Sequence, residues 1–275
     1  MLKRILFSII LLCTFQFSNA QLSVDSTGIS LQKLAIQILE DSNFENRYIA
    51  DSIFTRSFVK ILKTPYSFNY TFDSLKTISQ IISSDKKFKI FSWQLKLNDD
   101  SYLQRAALQM NTIDGQLKLL PFFDKSETFD APEAEICNRK KWMGAIYYDI
   151  ILTEFNNTKF YTLLGYDDYN NFTSRKIIEV IHFENEDPIL GGDFFVYPKD
   201  ETYPDAPVER FVYHYKKGSN GYIIYNSENG HITLSQLSST SNDLKMKSTL
   251  VPTGNEVYFE WKNGKWTMPQ TEKLN

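Results

Sequence analysis

Residues 88–97 read FKIFSWQLKL, and within them Phe91, Trp93, Leu95 and Leu97 alternate with Ser92, Gln94 and Lys96. A period of two sends alternate side chains to opposite faces, so this stretch is expected as a strand with an apolar side. The same character continues to the end of the chain. Strands are expected at Tyr102 to Met110, Gly144 to Leu152, Lys159 to Gly165, Ile177 to Phe183, Phe194 to Tyr197, Arg210 to Tyr215, Tyr222 to Tyr225, His231 to Leu234 and Val257 to Met268. Asn229-Gly230, Asn263-Gly264 and Asp114-Gly115 are residue pairs that accept positive φ, as two-residue hairpins require, so neighbouring strands are read as antiparallel.

Upstream of Lys87 the period is helical. Leu31, Leu34, Ala35, Ile38 and Leu39 form one stripe behind a Ser30 cap, and Ala50, Ile53, Phe54, Phe58, Ile61 and Leu62 form a second that stops before Pro65. Leu75, Ile78 and Ile82 behind Asp73 suggest a third, shorter helix. No strand is followed by a helix long enough for a parallel crossover. The fold class is therefore α+β, mainly β: N-terminal helices packed on a large antiparallel β-meander, whether sandwich, barrel or curved sheet. Segments 121–141 and 198–207 lack periodicity and are expected as long surface loops.

Lys3 and Arg4 precede an apolar run from Ile5 to Leu12, and Ser18-Asn19-Ala20 supplies small residues for cleavage, the pattern of a secretory signal peptide. The expected organisation is a signal peptide at 1–20, a helical region at 21–86 and a β domain at 87–275. Leu12 before Cys13 departs from a lipoprotein cleavage site, where a small residue is expected. No stretch approaches the roughly 20 apolar residues of a transmembrane helix. Loss of Lys3 and Arg4 takes the formal net charge from −3 to about −5, a mild acidity that argues against nucleic-acid and anionic-lipid partners. Only Cys137 then remains, so the core must hold the fold without a disulfide.

The stretch WMGAIYYDIILTEFNNTKFYTLLGYDDYNNFTSRKIIEVIHF, from Trp142 to Phe183, resembles a group of exported Bacteroidota proteins of unknown function. An aromatic strand, a YTLLGYDD turn and a following RKIIEVIHF strand carry the resemblance. Trp93 in IFSWQ and the closing YFEWKNGKWTM extend it over most of the chain from about residue 88. It implies export to a Gram-negative envelope and a β-rich domain. The group has no assigned reaction, so the resemblance supplies no catalytic residues.

His182, His214 and His231 lie singly on expected strands and Cys137 has no partner at ligand spacing, so no metal centre is expected. Asp167, Asp168, Asn170 and Asn171 crowd one turn with oxygen donors but lack the EF-hand pattern, and such residues also close tight turns through their own side chains. If the chain has a ligand site, it is expected here, at Tyr147, Tyr166, Asp167 and Asp168. Nucleophile elbows and phosphate loops are absent from the sequence. Glu184, Glu186, Asp187 and Asp193 supply acids between two strands, as a carboxylate-dependent hydrolase would need, though such a run also suits a solvated loop. Trp261 and Trp266 flank Asn263-Gly264 and are expected as cross-strand neighbours rather than a sugar platform.

Together these features describe an exported protein of the periplasm or cell envelope, or a secreted one, with no catalytic residues or cofactor. It would be a binding or structural protein with a protein or carbohydrate partner. The alternative is a hydrolase whose carboxylates converge in a pocket with shifted pKa values.

Overall fold

The structure, a computed structural model, describes residues 30–98, 101–199 and 207–269. The expected signal peptide and its cleavage site lie outside them. The chain divides into two compact units.

The first holds the described residues up to Ile78 together with Thr112–Leu117. Helix α1 covers residues 30–40 and buries Leu31, Ala35 and Ile38. Helix α2, Phe44–Leu62, buries Ala50, Phe54, Phe58 and Leu62 at helical spacing, and Phe54 stacks on Phe58 at 5.6 Å between ring centroids. Asn43 caps α2 by accepting the backbone N–H groups of Glu45 and Asn46 at 2.7 and 3.3 Å. The third helix expected at Leu75 to Ile82 does not form. The backbone N–H of Lys76 is taken by the Gln32 side chain at 2.6 Å, and Ser79–Ile82 becomes a strand. The β-branched residues Ile81 and Ile82 there enter a backbone ladder instead, a tertiary pairing that outweighs the helical spacing.

The second unit, residues 79–111 and 118 onward, is the β structure. Its first sheet runs in order through β1 (Ser79–Ile82), β2 (Phe88–Lys96), β3 (Tyr102–Met110) and β4 (Lys118–Phe123). The central sheet is ordered β5 (Cys137–Asn138), β9 (Asp187–Leu190), β8 (Thr173–Glu184), β7 (Thr158–Asp167), β6 (Ile146–Phe155), with β11 (Arg210–Lys216) also paired to β8. The third is ordered β10 (Phe195–Val196), β15 (Lys265–Thr267), β14 (Leu250–Lys262), β13 (His231–Ser239), β12 (Ile223–Asn226). All named pairings are antiparallel except β10 with β15.

Two-residue periodicity explains how these sheets stack. On β7, Tyr161 and Leu163 join one hydrophobic cluster with Phe88, Ile90 and Leu108 of the first sheet, while Leu164 joins another with Ile232, Phe259 and Trp266 of the third. On β8, Ile177 and Ile181 face the first cluster and Ile178 and Val180 the second. The central sheet is thus covered on both faces, a three-layer β sandwich. Strand β2 is also buried on both faces: Phe88 and Ile90 join the first cluster, and Phe91, Trp93 and Leu95 are buried at alternate positions.

Asn263-Gly264 forms the expected two-residue turn between paired Lys262 and Lys265, with φ of 51° and 79°. Trp261 and Trp266 face each other across it at 5.4 Å. Asn229-Gly230 differs: Asn226 pairs with His231, so the loop has four residues and only Gly230 takes positive φ. Asn156-Asn157 and Asn185-Glu186 make two further two-residue turns. The expected surface loop over 121–141 contains the end of β4, two short 3-10 turns and β5. Among the described residues no helix is long and apolar enough to cross a membrane.

Candidate functional site

Asp167 ends β7 and Arg175 stands opposite it on β8. Both side chains are about 5% exposed, and the pair is bidentate onto one oxygen: Arg175 Nε donates to Asp167 Oδ2 at 2.9 Å and Nη2 donates to the same atom. Asp167 Oδ1 accepts from Gln104 Nε2 at 3.0 Å and from the Tyr169 backbone N–H at 3.0 Å. Four donors therefore fill the acceptor positions of this carboxylate.

Gln104 of β3 links that pair to a second acid. Its backbone N–H donates to Asp124 Oδ2 at 2.7 Å, and the Ser126 N–H donates to Asp124 Oδ1 at 2.9 Å. Burial raises the pKa of Asp124, the two backbone N–H groups partly offset the rise, and the charge of Asp167 adds to it. Gly144 makes this packing feasible: a Cβ there would lie 2.8 Å from Gln104 Cγ and 3.0 Å from Asp124 Cγ, on a backbone of φ +81°.

These groups border a cleft of ≈ 620 Å³, within the range of small-molecule sites. Asp124, Asp167, Arg175 and Gln104 supply its buried polar lining, and Tyr102, Phe129 and Tyr169 its aromatic lining. Tyr169 lies over the Arg175 guanidinium at 4.0 Å and meets the His214 ring at 5.5 Å. Burial, together with the nearby charges of Arg175 and Lys247, lowers the His214 pKa to about 3, so the imidazole is neutral at pH 7.

Pro132, also on the cleft, belongs to a segment tied down from inside the core. Arg210 and Glu179 are fully buried cross-strand partners, with Arg210 Nε 3.1 Å from Glu179 Oε2. Arg210 Nη1 also donates to the carbonyls of Pro132 and, at 2.8 Å, Glu135. Glu179 Oε1 accepts from the Tyr147 hydroxyl, which in turn accepts from Trp142 Nε1 at 2.7 Å. Burial and then the neighbouring Glu179 charge push the Tyr147 pKa well up.

Of the residues singled out from sequence, Asp167 reaches the cleft, whereas Tyr147 is enclosed in the core and Tyr166 and Asp168 stand outside the lining. Asp168 accepts from Tyr166 Oη at 2.9 Å and lies 2.8 Å from Lys217 Nζ. Burial acts to raise its pKa but is outweighed by Lys217, Tyr166 and Gln94, leaving it lowered. Asn170 Oδ1 accepts the N–H groups of Phe172 and Thr173, closing the turn as expected of Asn. Among the described residues no group of three His, Cys, Asp or Glu side chains is placed to hold a metal ion.

The acids considered for hydrolysis each face a basic side chain, and none of them lines the cleft. Glu186 pairs with Lys118, Asp187 with Arg139, Asp193 with Lys265, and Glu184 lies 3.5 Å from His182 Nε2. Sequence reasoning missed Asp124, Gln104, Tyr102, Tyr169 and Arg175. One signal was present: Asp167 and Arg175 flank a turn on consecutive strands, where register can set opposite charges face to face. No family model, curated protein or solved structure matches the chain.

Proposed function

We propose that this is an exported, non-catalytic binding protein of the envelope, allied to the Bacteroidota group it resembles, and that the cleft between Gln104, Asp124, Asp167 and Arg175 is its ligand site. The signal-like leader and the resemblance support export. One observation carries the preference for binding over chemistry: the acceptor positions of Asp167 are all occupied, so this carboxylate has no lone pair for a nucleophile's or base's work.

The hydrolase reading keeps one point in its favour, the raised pKa of Asp124 beside a second acid. That second acid, Asp167, is committed to Arg175 and leaves no free carboxylate to complete the pair. Thermal unfolding of the chain with and without candidate ligands tests the proposal. Ligand at 100 times Kd stabilises by about 2.7 kcal/mol, roughly 5–10 °C for a chain of this size. That shift should vanish in Tyr169→Ala. Release of hydrolysed product from a ligand that shifts the melting temperature would overturn the non-catalytic assignment.

A further inference from the structure

We propose that the cleft takes a neutral polyhydroxylated ligand, a sugar or short oligosaccharide, seated against Tyr102 and Tyr169 and hydrogen-bonded to Arg175 and Gln104. The inference rests on the cleft being the ligand site.

The aromatic lining argues against a cation. Each ring already has a protein cation against it: Lys217 Nζ 5.1 Å from Tyr102, Lys141 Nζ 4.3 Å from Phe129, and Arg175 Cζ 4.0 Å from Tyr169. A cationic ligand on any of these rings would meet a fixed positive charge across it, which opposes the attraction of the ring face. An anion fares no better. With Arg175 matched by Asp167, the described residues of the lining present Asp124, Glu127 and Asp130 against Lys125, and Lys125 lies 4.0 Å from Glu127.

What remains at the buried end is an unused donor beside an unused acceptor. Arg175 spends Nε and Nη2 on Asp167, and among the described residues Nη1 has no hydrogen-bond partner. Gln104 spends Nε2 on the other oxygen of the same carboxylate, leaving Oε1 buried without a hydrogen bond. The two free groups are thus anchored within the span of one carboxylate. A hydroxyl donates and accepts at once, so two neighbouring hydroxyls satisfy both groups with no charge of their own. The apolar face of a sugar ring then packs on an aromatic side chain.

Isothermal titration of the intact chain with three probe classes tests this: a panel of neutral gluco-, xylo- and manno-oligosaccharides, spermidine, and citrate. The expected result is binding of at least one neutral oligosaccharide, weakened tenfold or more in Tyr169→Ala and in Tyr102→Ala. Near-UV circular dichroism checks that each variant is folded, and if Tyr169→Ala is not, Tyr102→Ala decides. Spermidine or citrate binding without any sugar binding, lost in the same variants, would overturn the ligand class and leave the cleft as a binding site. Sugar binding unchanged in both variants would overturn the location. Heat from none of the probes would overturn both the class and the reading beneath it.

Discussion

Removing the Asp167 carboxylate leaves the Arg175 guanidinium buried without its counter-charge, and also frees Gln104 Nε2 and the Tyr169 N–H. Breaking a buried pair from one side costs about 3–5 kcal/mol, because the surviving charge cannot return to water. Asp167→Ala is therefore expected to lower the urea-unfolding free energy by that amount. Asp168→Ala should lose only about 1 kcal/mol, since Asp168 and Lys217 are partly solvated. The two adjacent aspartates look alike in sequence, and nothing local separates them; Asp167 owes its role to strands β3 and β8 closing over it. His214 gives a second residue-scale prediction. Its folded pKa of about 3 lies below the ordinary histidine value, so on acidification the unfolded chain takes up the proton first. Stability from this residue is intact above about pH 6.5 and falls as pH drops from there toward 3, by about 1 kcal/mol per pH unit. In His214→Phe that part of the slope should disappear from denaturation curves recorded between pH 4 and 7. An unchanged slope would remove His214 as its source.

Turns show most directly which local signals the sequence carries. Asn263-Gly264 is legible because both residues take positive φ and two strands meet with no residue to spare. Asn185-Glu186 does the same with a glutamate of φ 69°, a residue that carries no turn signal by type. The helical spacing of Leu75, Ile78 and Ile82 misleads for a related reason: a pairing with β2, distant in character from the segment itself, decides its state. A paired measurement separates backbone from packing at the turns. Gly230 and Gly264 have φ of 73° and 79°, but a Cβ on Gly230 meets nothing within 4 Å, whereas one on Gly264 would lie 2.6 Å from Phe155 Cδ1. Gly230→Ala should cost about 1 kcal/mol from conformation alone. Gly264→Ala should cost a further 1–3 kcal/mol from the clash, so equal losses in denaturant melts would mean that Phe155 yields freely.

At the scale of the whole molecule, strand positions and antiparallel pairing were legible, but stacking into three layers was not. Alternation tells which side chains share a face; it does not tell which sheet will cover that face. The cleft was hidden for the same reason, because Asp124 and Asp167 are joined by Gln104, 20 and 63 residues from them in the chain. Cys137 offers a test of how this layered core opens. It is 1% exposed on β5, packs in the same cluster as Trp142, and burial pushes its thiol pKa to about 11. At pH 8 about one thiol in a thousand would be ionised, and that one is covered, so labelling by a disulfide reagent requires opening. In a Cys13→Ser chain, native Cys137 should resist labelling, and its labelling transition in urea should coincide with the loss of buried-tryptophan fluorescence. Coincidence would mean that β5, at the end of the central sheet, is released only when the core of this unit unfolds. Labelling at urea concentrations well below the fluorescence midpoint would instead show that β5 and the segment held by Arg210 open locally while the remaining layers stay packed.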